Sequence, residues 1–507
     1  MPLTKVVLRP GIDKQATPTL NEGGWSDASL IRFRDGMPQN IGGWITQATG
    51  LSGKARGMIS WASLDGLQNC GIGTNTNLYL YRGSSVFDIT PSGFTAGPAD
   101  TVVGYGFGRG QFGKGKFGQA SLIPMVQQRA MTWTMDTWGE DLVAATNDGP
   151  IYIWVPNGNT VSVATVISQA PQTVRCVMVA MPERHLIAAG ASDPAATTNY
   201  DPLLVRFSDV EDYTVWTATA TNSAGSFRIS GGSRIMQILT ATNQHLIWTD
   251  KSLWTMQFIG SPYVYAFNQV GGDCGAVSAH AAGTVDGVTY WMSEDTFFQY
   301  RGAAPEYLDC KEHRAVFQNI NRNQLDKVYC GLNAQNNEIT WYYPSLGSTE
   351  NDSYVTFNYA ERLWYSGTMA RTCWEDMSCF QYPLAVDPNG VLYFHEFGDD
   401  ADGAYMPWYL QSGYFDMGDG TQYTYADRLI PDMYFDTGLI NVSVKTLNYP
   451  DDAPTVKGPF PVAPSTSWIN FRARGRQAAI RLENAGVTGT AFRLGAIRMN
   501  SSADGRR

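Results

Sequence analysis

The chain has 507 residues, a formal charge of −10 at pH 7, 16% charged residues and 12% aromatic residues. So few charges among so many aromatics exclude intrinsic disorder and long solvated helices. The acidic balance excludes a protein that coats nucleic acid through phosphate contacts over its whole surface.

The first 50 residues carry Gly and Pro throughout and predict an extended segment, 1–50, that packs on a platform formed later in the chain. The opening MPLTKVVLRPGIDK lacks an apolar signal region, and no apolar run approaches the ~18 residues of a membrane span, so a soluble chain made in a cytoplasm is expected. From about 68 to 400 one unit recurs: β-formers, a polar turn, then an aromatic-rich strand ending at Gly or Pro. QNCGIGTNTNLYLYRG (68–83), EDLVAATNDGPIYIWVP (140–156), HLIWTDKSLWTMQFIG (245–260), GVTYWMSEDTFFQYRG (287–302), VYCGLNAQNNEITWYYPS (328–345), YVTFNYAERLWYSG (354–367) and PLAVDPNGVLYFHEFG (383–398) each read as a β-hairpin. Asn147-Asp148-Gly149 and Asn389-Gly390 supply turn residues that tolerate positive φ.

Such repetition predicts a mainly β fold, a β-propeller of antiparallel hairpin blades over 51–400, with sandwich and β-helix packings as competitors. The helical period at 312–327, with Val316, Phe317, Ile320 and Leu325 on one face, reads as an inter-blade connection. Residues 401–507 predict a C-terminal β-rich platform domain. It begins in the acidic stretch 396–452 and ends in an arginine-rich one.

The most conspicuous segment is GYGFGRGQFGKGKFGQ at 104–119. Its two GxGxxG matches lack the strand before and the helix after that a dinucleotide site needs. The segment reads instead as a pentapeptide repeat and a candidate interaction loop, with Phe107, Phe112 and Phe117 to bury in a partner and Arg109, Lys114 and Lys116 to meet an acidic surface or DNA.

Asp399, Asp400 and Asp402 before Gly403 begin like a calcium loop, but the later ligands are missing; a solvated turn, facing a lumen or an interface, is expected. The pairs Glu294-Asp295 and Glu375-Asp376 read as exposed turn charges. Arg472, Arg474 and Arg476 read as outward arginines, for salt bridges to the acidic stretch or a neighbouring subunit first and DNA second.

Seven scattered cysteines read as reduced core thiols, and five dispersed histidines give no metal-site spacing, so neither metal nor cofactor is expected. No GxSxG elbow or Walker A sequence is present, and no catalytic residue is assigned.

The opening also resembles a known family. Gly11-Ile12 and NEGGWSDASLIRFRDGMPQNIGGW (21–44), through Trp25, Arg32, Phe33, Arg34, Gly36, Pro38, Ile41, Gly42, Gly43 and Trp44, resemble the N-terminal signature of tail nozzle proteins of short-tailed bacteriophages, also called tail hub or tail tubular B-type proteins. The Gly-aromatic repeat, DTWGEDLVA (136–144), RFSDVEDYTVW (206–216), WTDKSLWTMQFIG (248–260), RARGR (472–476) and DGRR (504–507) follow in the family's order, with Phe207 where the family pattern has Trp.

The resemblance implies a structural virion protein rather than an enzyme. It implies a homo-hexameric ring at the distal end of the tail, assembled in the host cytoplasm, that attaches to a head-to-tail adaptor and to fibres or spikes. Genome DNA would pass through the lumen without sequence-specific binding, and the acidic balance suits a wall that repels duplex DNA. The alternatives are a virion-borne propeller that depolymerises glycan and a cellular propeller serving as an interaction hub.

Overall fold

The computed structural model describes residues 3–17, 20–102, 128–158, 160–193, 196–417 and 422–505. The fold is mainly β, with seven four-stranded antiparallel sheets and two larger ones among the described residues. Each small sheet is a blade whose first strand lies innermost. In blade order these are Ala55–Ala62, Trp133–Trp138, Cys176–Ala180, Ile235–Ala241, Ala282–Val285, Tyr329–Asn333 and Cys373–Glu375. Consecutive inner strands pack against one another, and the seventh returns to the first, so the ring is closed.

Blade six shows why the residues adopt this form. The hairpins read at 328–345 and 354–367 are its two halves, and Asn337, with φ 57°, makes the left-handed turn between the first two strands. Ile339, Trp341, Val355, Phe357 and Trp364 all point into one apolar cluster shared with blade five. Indole N–H groups then tie neighbouring blades together. Trp133 donates to the Thr74 carbonyl of blade one (2.7 Å), Trp341 to Ala281 at blade five (2.8 Å), and Trp374 to Leu332 of blade six (2.7 Å). The connection from blade five to blade six holds the helix His313–Asn319 and a 3-10 turn Arg322–Lys327.

The two larger sheets form the platform. In the first, Ile31–Arg34, Met37–Asn40, Arg493–Ala503, Thr424–Tyr434 and Ile469–Gly475 lie in that order, with Leu3–Val6 also on Arg493–Ala503. In the second the order is Trp25–Ser29, Tyr409–Ser412, Gln477–Asn484, Ile440–Leu447 and Thr455–Val462. Inward residues of both, including Leu429, Phe471, Ile497, Val442 and Ile480, meet in one cluster.

The N-terminal segment differs from the extended strip expected for 1–50. It contributes strands to both platform sheets and then closes the propeller, because Trp44–Ala48 is the outermost strand of blade seven, paired with Leu392–His395. These strands are short and their partners lie hundreds of residues away, so no local hairpin pattern announces them. One turn is local: Asp35 and Gly36, with φ 52° and 71°, give the paired positive dihedrals of a type I′ hairpin between Ile31–Arg34 and Met37–Asn40.

Candidate functional site

Three features of the fold gather chemistry: the seam between platform and propeller, the propeller's axial funnel, and the charged plug at one end of that funnel.

At the seam, Arg32 leaves a platform strand and enters the propeller fully buried. Its guanidinium donates to both oxygens of Glu338 in blade six (2.8 and 3.0 Å) and to both oxygens of Glu396 after blade seven (2.7 and 2.5 Å). Tyr365 donates its hydroxyl to Glu338 (2.6 Å), and Asn333 its amide to Glu396 (3.0 Å). Burial pushes the Glu338 carboxyl up, opposed by Arg32. Burial also works against the charge on Glu396, yet Arg32 and the hydrogen bonds around it hold that carboxyl below its ordinary value.

Beside this cluster Phe33 packs on Tyr365, and Trp44 stacks on His395 under the Arg371 guanidinium. Gly43 has no room for a side chain, since a Cβ there would stand 2.4 Å from the Asp400 carbonyl oxygen. A groove of 880 Å3 opens over the seam, lined among others by Arg34, Gln335, Tyr382, Asp399, Tyr434 and Arg493.

The funnel runs down the propeller axis with a volume of 470 Å3. Near its wide end the inner strands present Asp136, from blade two, and Glu375 and Asp376, from blade seven. Asp136 accepts backbone N–H groups of Thr137 and Val179 (both 2.8 Å), while Glu375 accepts the N–H and hydroxyl of Ser60 (3.2 and 3.1 Å). Each therefore fastens its blade to the next. Burial raises Asp136 to about 6 and Glu375 to about 7, and with no Lys or Arg in the lining, hydrogen bonds alone oppose the shift. Deeper in, His280 donates from Nε2 to the Trp133 carbonyl (2.7 Å), and burial lowers it to about 4, so it is neutral. Among the described residues no three His, Cys, Asp or Glu side chains converge as a metal site.

The narrow end is plugged. Asp326, in the blade five to six connection, receives Arg129 (2.9 Å), with Arg175 and Arg234 at 3.6 and 4.0 Å. The wholly buried Lys327 amine meets Asp100 (2.5 Å) and Glu350 (3.2 Å), and Glu350 also takes Arg56 (2.7 Å). Arg175 and Arg234 directly precede inner strands that all run the same way, so these pairs lie at one end of the axis.

Other residues singled out in the sequence lie elsewhere. The Asp400 carboxylate accepts the Gly489 N–H (2.6 Å), and that of Asp402 accepts the Thr46 N–H and hydroxyl (2.8 and 2.7 Å). Both thereby brace blade seven against platform and N-terminal strand, while Asp399 is exposed at the groove. Arg472 and Arg474 point outward from a platform edge strand, and Arg476 follows it, lying over Tyr423 and Tyr449. The loop residues Phe107, Arg109, Phe112, Lys114, Lys116 and Phe117 lie outside the described residues.

The Glu375-Asp376 pair needs correction: it ends an inner strand and faces the funnel, whereas Glu294 is exposed as expected. Asp136 was missed altogether. Its neighbours in the funnel come from other blades, so no short motif contains them. All seven cysteines are free thiols, mostly buried.

No protein-family model matches the chain, and no curated protein matches it in sequence. Among solved structures it is similar to an exo-β-1,3-galactanase from Phanerochaete chrysosporium, solved with β-1,3-galactotriose, at 10% identity and a TM-score of 0.27, over 73% of this chain and 95% of that one. A likeness of that size assigns no activity. The exclusion of enzymatic activity drawn from the sequence, which rested on the family resemblance and on the absence of linear motifs, does not stand. Carboxylates that line one funnel from separate blades, as Asp136 and Glu375 do, leave no such motif.

Proposed function

We propose that this chain is a tail nozzle subunit of a short-tailed bacteriophage or related prophage, six copies forming the ring through which the genome leaves. The observation that carries the reading is where the family-like residues fall. Arg32, Phe33, Gly43 and Trp44 build the seam that locks platform to propeller, and Gly36 makes the hairpin leading into it. A signature concentrated at such a seam belongs to a protein whose use is to hold two rigid bodies in fixed relation.

In this reading the ring docks on an adaptor and carries fibres or spikes, and the acidic balance of the chain repels passing duplex DNA. Quantitative mass spectrometry of purified particles tests it, with six copies per particle expected. Absence of the chain from particles would refute it.

A second reading, a virion-borne glycan depolymerase, is favoured by the funnel acids. With carboxyls raised to about 6 and about 7, Asp136 and Glu375 hold protons close to neutral pH, as a general acid must. Incubation with host capsular polysaccharide decides it. Chain cleavage that disappears in Asp136→Asn and Glu375→Gln supports the enzyme, and undegraded polysaccharide removes it.

A further inference from the structure

Cations gather on the outer face of the first platform sheet. The strand period of two sends Leu429, Phe471, Ala473, Ile497 and Met499 into the core and leaves Lys5, Arg428, Arg472, Arg474 and Arg498 exposed on the opposite side. Cross-strand register sets them side by side: Lys5 faces Arg498, Arg498 faces Ile430, Arg428 faces both Asn500 and Asn470, and Tyr425 faces Arg474. The face spans four adjoining strands, roughly 15 Å across.

Its acids are already engaged. Asp504 pairs with Arg474 (2.5 Å), Asp427 accepts the Asn500 amide (2.7 Å), and Asp432, toward one end, lies 3.5 Å from the Ala496 N–H. Lys5, Arg428, Arg472 and Arg498 enter no ion pair among the described residues. Aromatic rings lie among the cations. Trp468, 53% exposed, sits under Arg428, and Tyr423 lies under both Arg474 and Arg476.

We propose that this sheet face binds a nucleic-acid backbone without reading its sequence. Arg498, Arg428 and Arg472 stand on three adjoining strands, so their forks can address separate charges of a linear polyanion. Four of the five cations are arginines, whose planar guanidinium matches phosphate oxygens in pairs. The exposed indole of Trp468 adds a surface on which a base can stack, as in sequence-tolerant single-strand binders. On a molecule of net charge −10 the face is a local exception, and the proposal does not depend on the chain's place in a tail.

The test is fluorescence anisotropy of the full chain with labelled oligonucleotides of about 20 residues, single-stranded and duplex. At about 0.7 counterions released per contact over the four cations outside ion pairs, binding to the single strand should weaken about 50-fold between roughly 50 and 200 mM salt. The triple variant Arg428→Glu, Arg472→Glu, Arg498→Glu should lose binding while keeping its thermal midpoint, whereas Arg314→Glu, Arg322→Glu should bind as before. If the triple variant does not fold, the corresponding alanine variant replaces it. Absence of binding at low salt, or binding untouched by the charge changes, would overturn the proposal. Equal competition by polyglutamate would overturn it in favour of an acidic protein partner.

Discussion

Arg32 is one cation held between two carboxylates, so its loss leaves two negative charges in a largely buried site. Arg32→Met should cost about 3–5 kcal/mol at neutral pH, the usual penalty for stranding a buried partner. The deficit should shrink as falling pH lets Glu338 and Glu396 take up protons and lose their stranded charges, which denaturant titrations at two pH values would read. The funnel acids respond to pH in the unmutated protein as well. Asp136 and Glu375 have folded values of about 6 and about 7, above the 3.8 and 4.5 of the free side chains, so the native state holds their protons more tightly. Their stabilising share is full below about pH 4 and is lost as pH rises through 6 to 7. Each shift corresponds to on the order of 3 kcal/mol. The double variant Asp136→Asn, Glu375→Gln should therefore show a smaller fall in thermal midpoint between pH 5 and pH 8 than the parent.

Among the elements, the strand Trp44–Ala48 bears most on how the molecule stays closed, because it completes blade seven from the far end of the sequence. Trp44→Ala removes the ring stacked on His395 and covered by Arg371, and should destabilise by about 2 kcal/mol. Amide exchange should quicken in Leu384–Val386 and Leu392–His395 before it does in blade three, and equal quickening throughout would contradict this role for the strand. The same contrast explains which elements the sequence made legible. Hairpins such as 140–156 and 383–398 were readable because both strands and the turn lie within some twenty residues and alternate aromatics with Asn-Gly or Asp-Gly turns. Blade three was not, since Cys176–Ala180 and His185–Asp193 are runs of small apolar residues without aromatic punctuation. The N-terminal strands were hidden for another reason: Trp25–Ser29 pairs with Tyr409–Ser412, so what specifies it is tertiary. The funnel acids and the charged plug escaped in the same way, as each draws its members from several blades.

At the scale of the whole molecule, a closed seven-bladed ring and a two-sheet platform are laced together by a chain that passes from platform to blade seven near residue 44 and returns near residue 409. The plug at one end of the propeller axis leaves no room for a duplex to pass through a single subunit, so in the ring proposed above the conduit would run between copies. That makes the position of the subunit in a larger object the central claim. Cryo-electron microscopy of intact particles, with this chain located by a label, measures it directly. The account predicts six copies around the tail axis at its distal end, each with the seam of Arg32, Glu338 and Glu396 intact. Particles whose tails lack the chain, or a lone soluble subunit cleaving polysaccharide through Asp136 and Glu375, would contradict it.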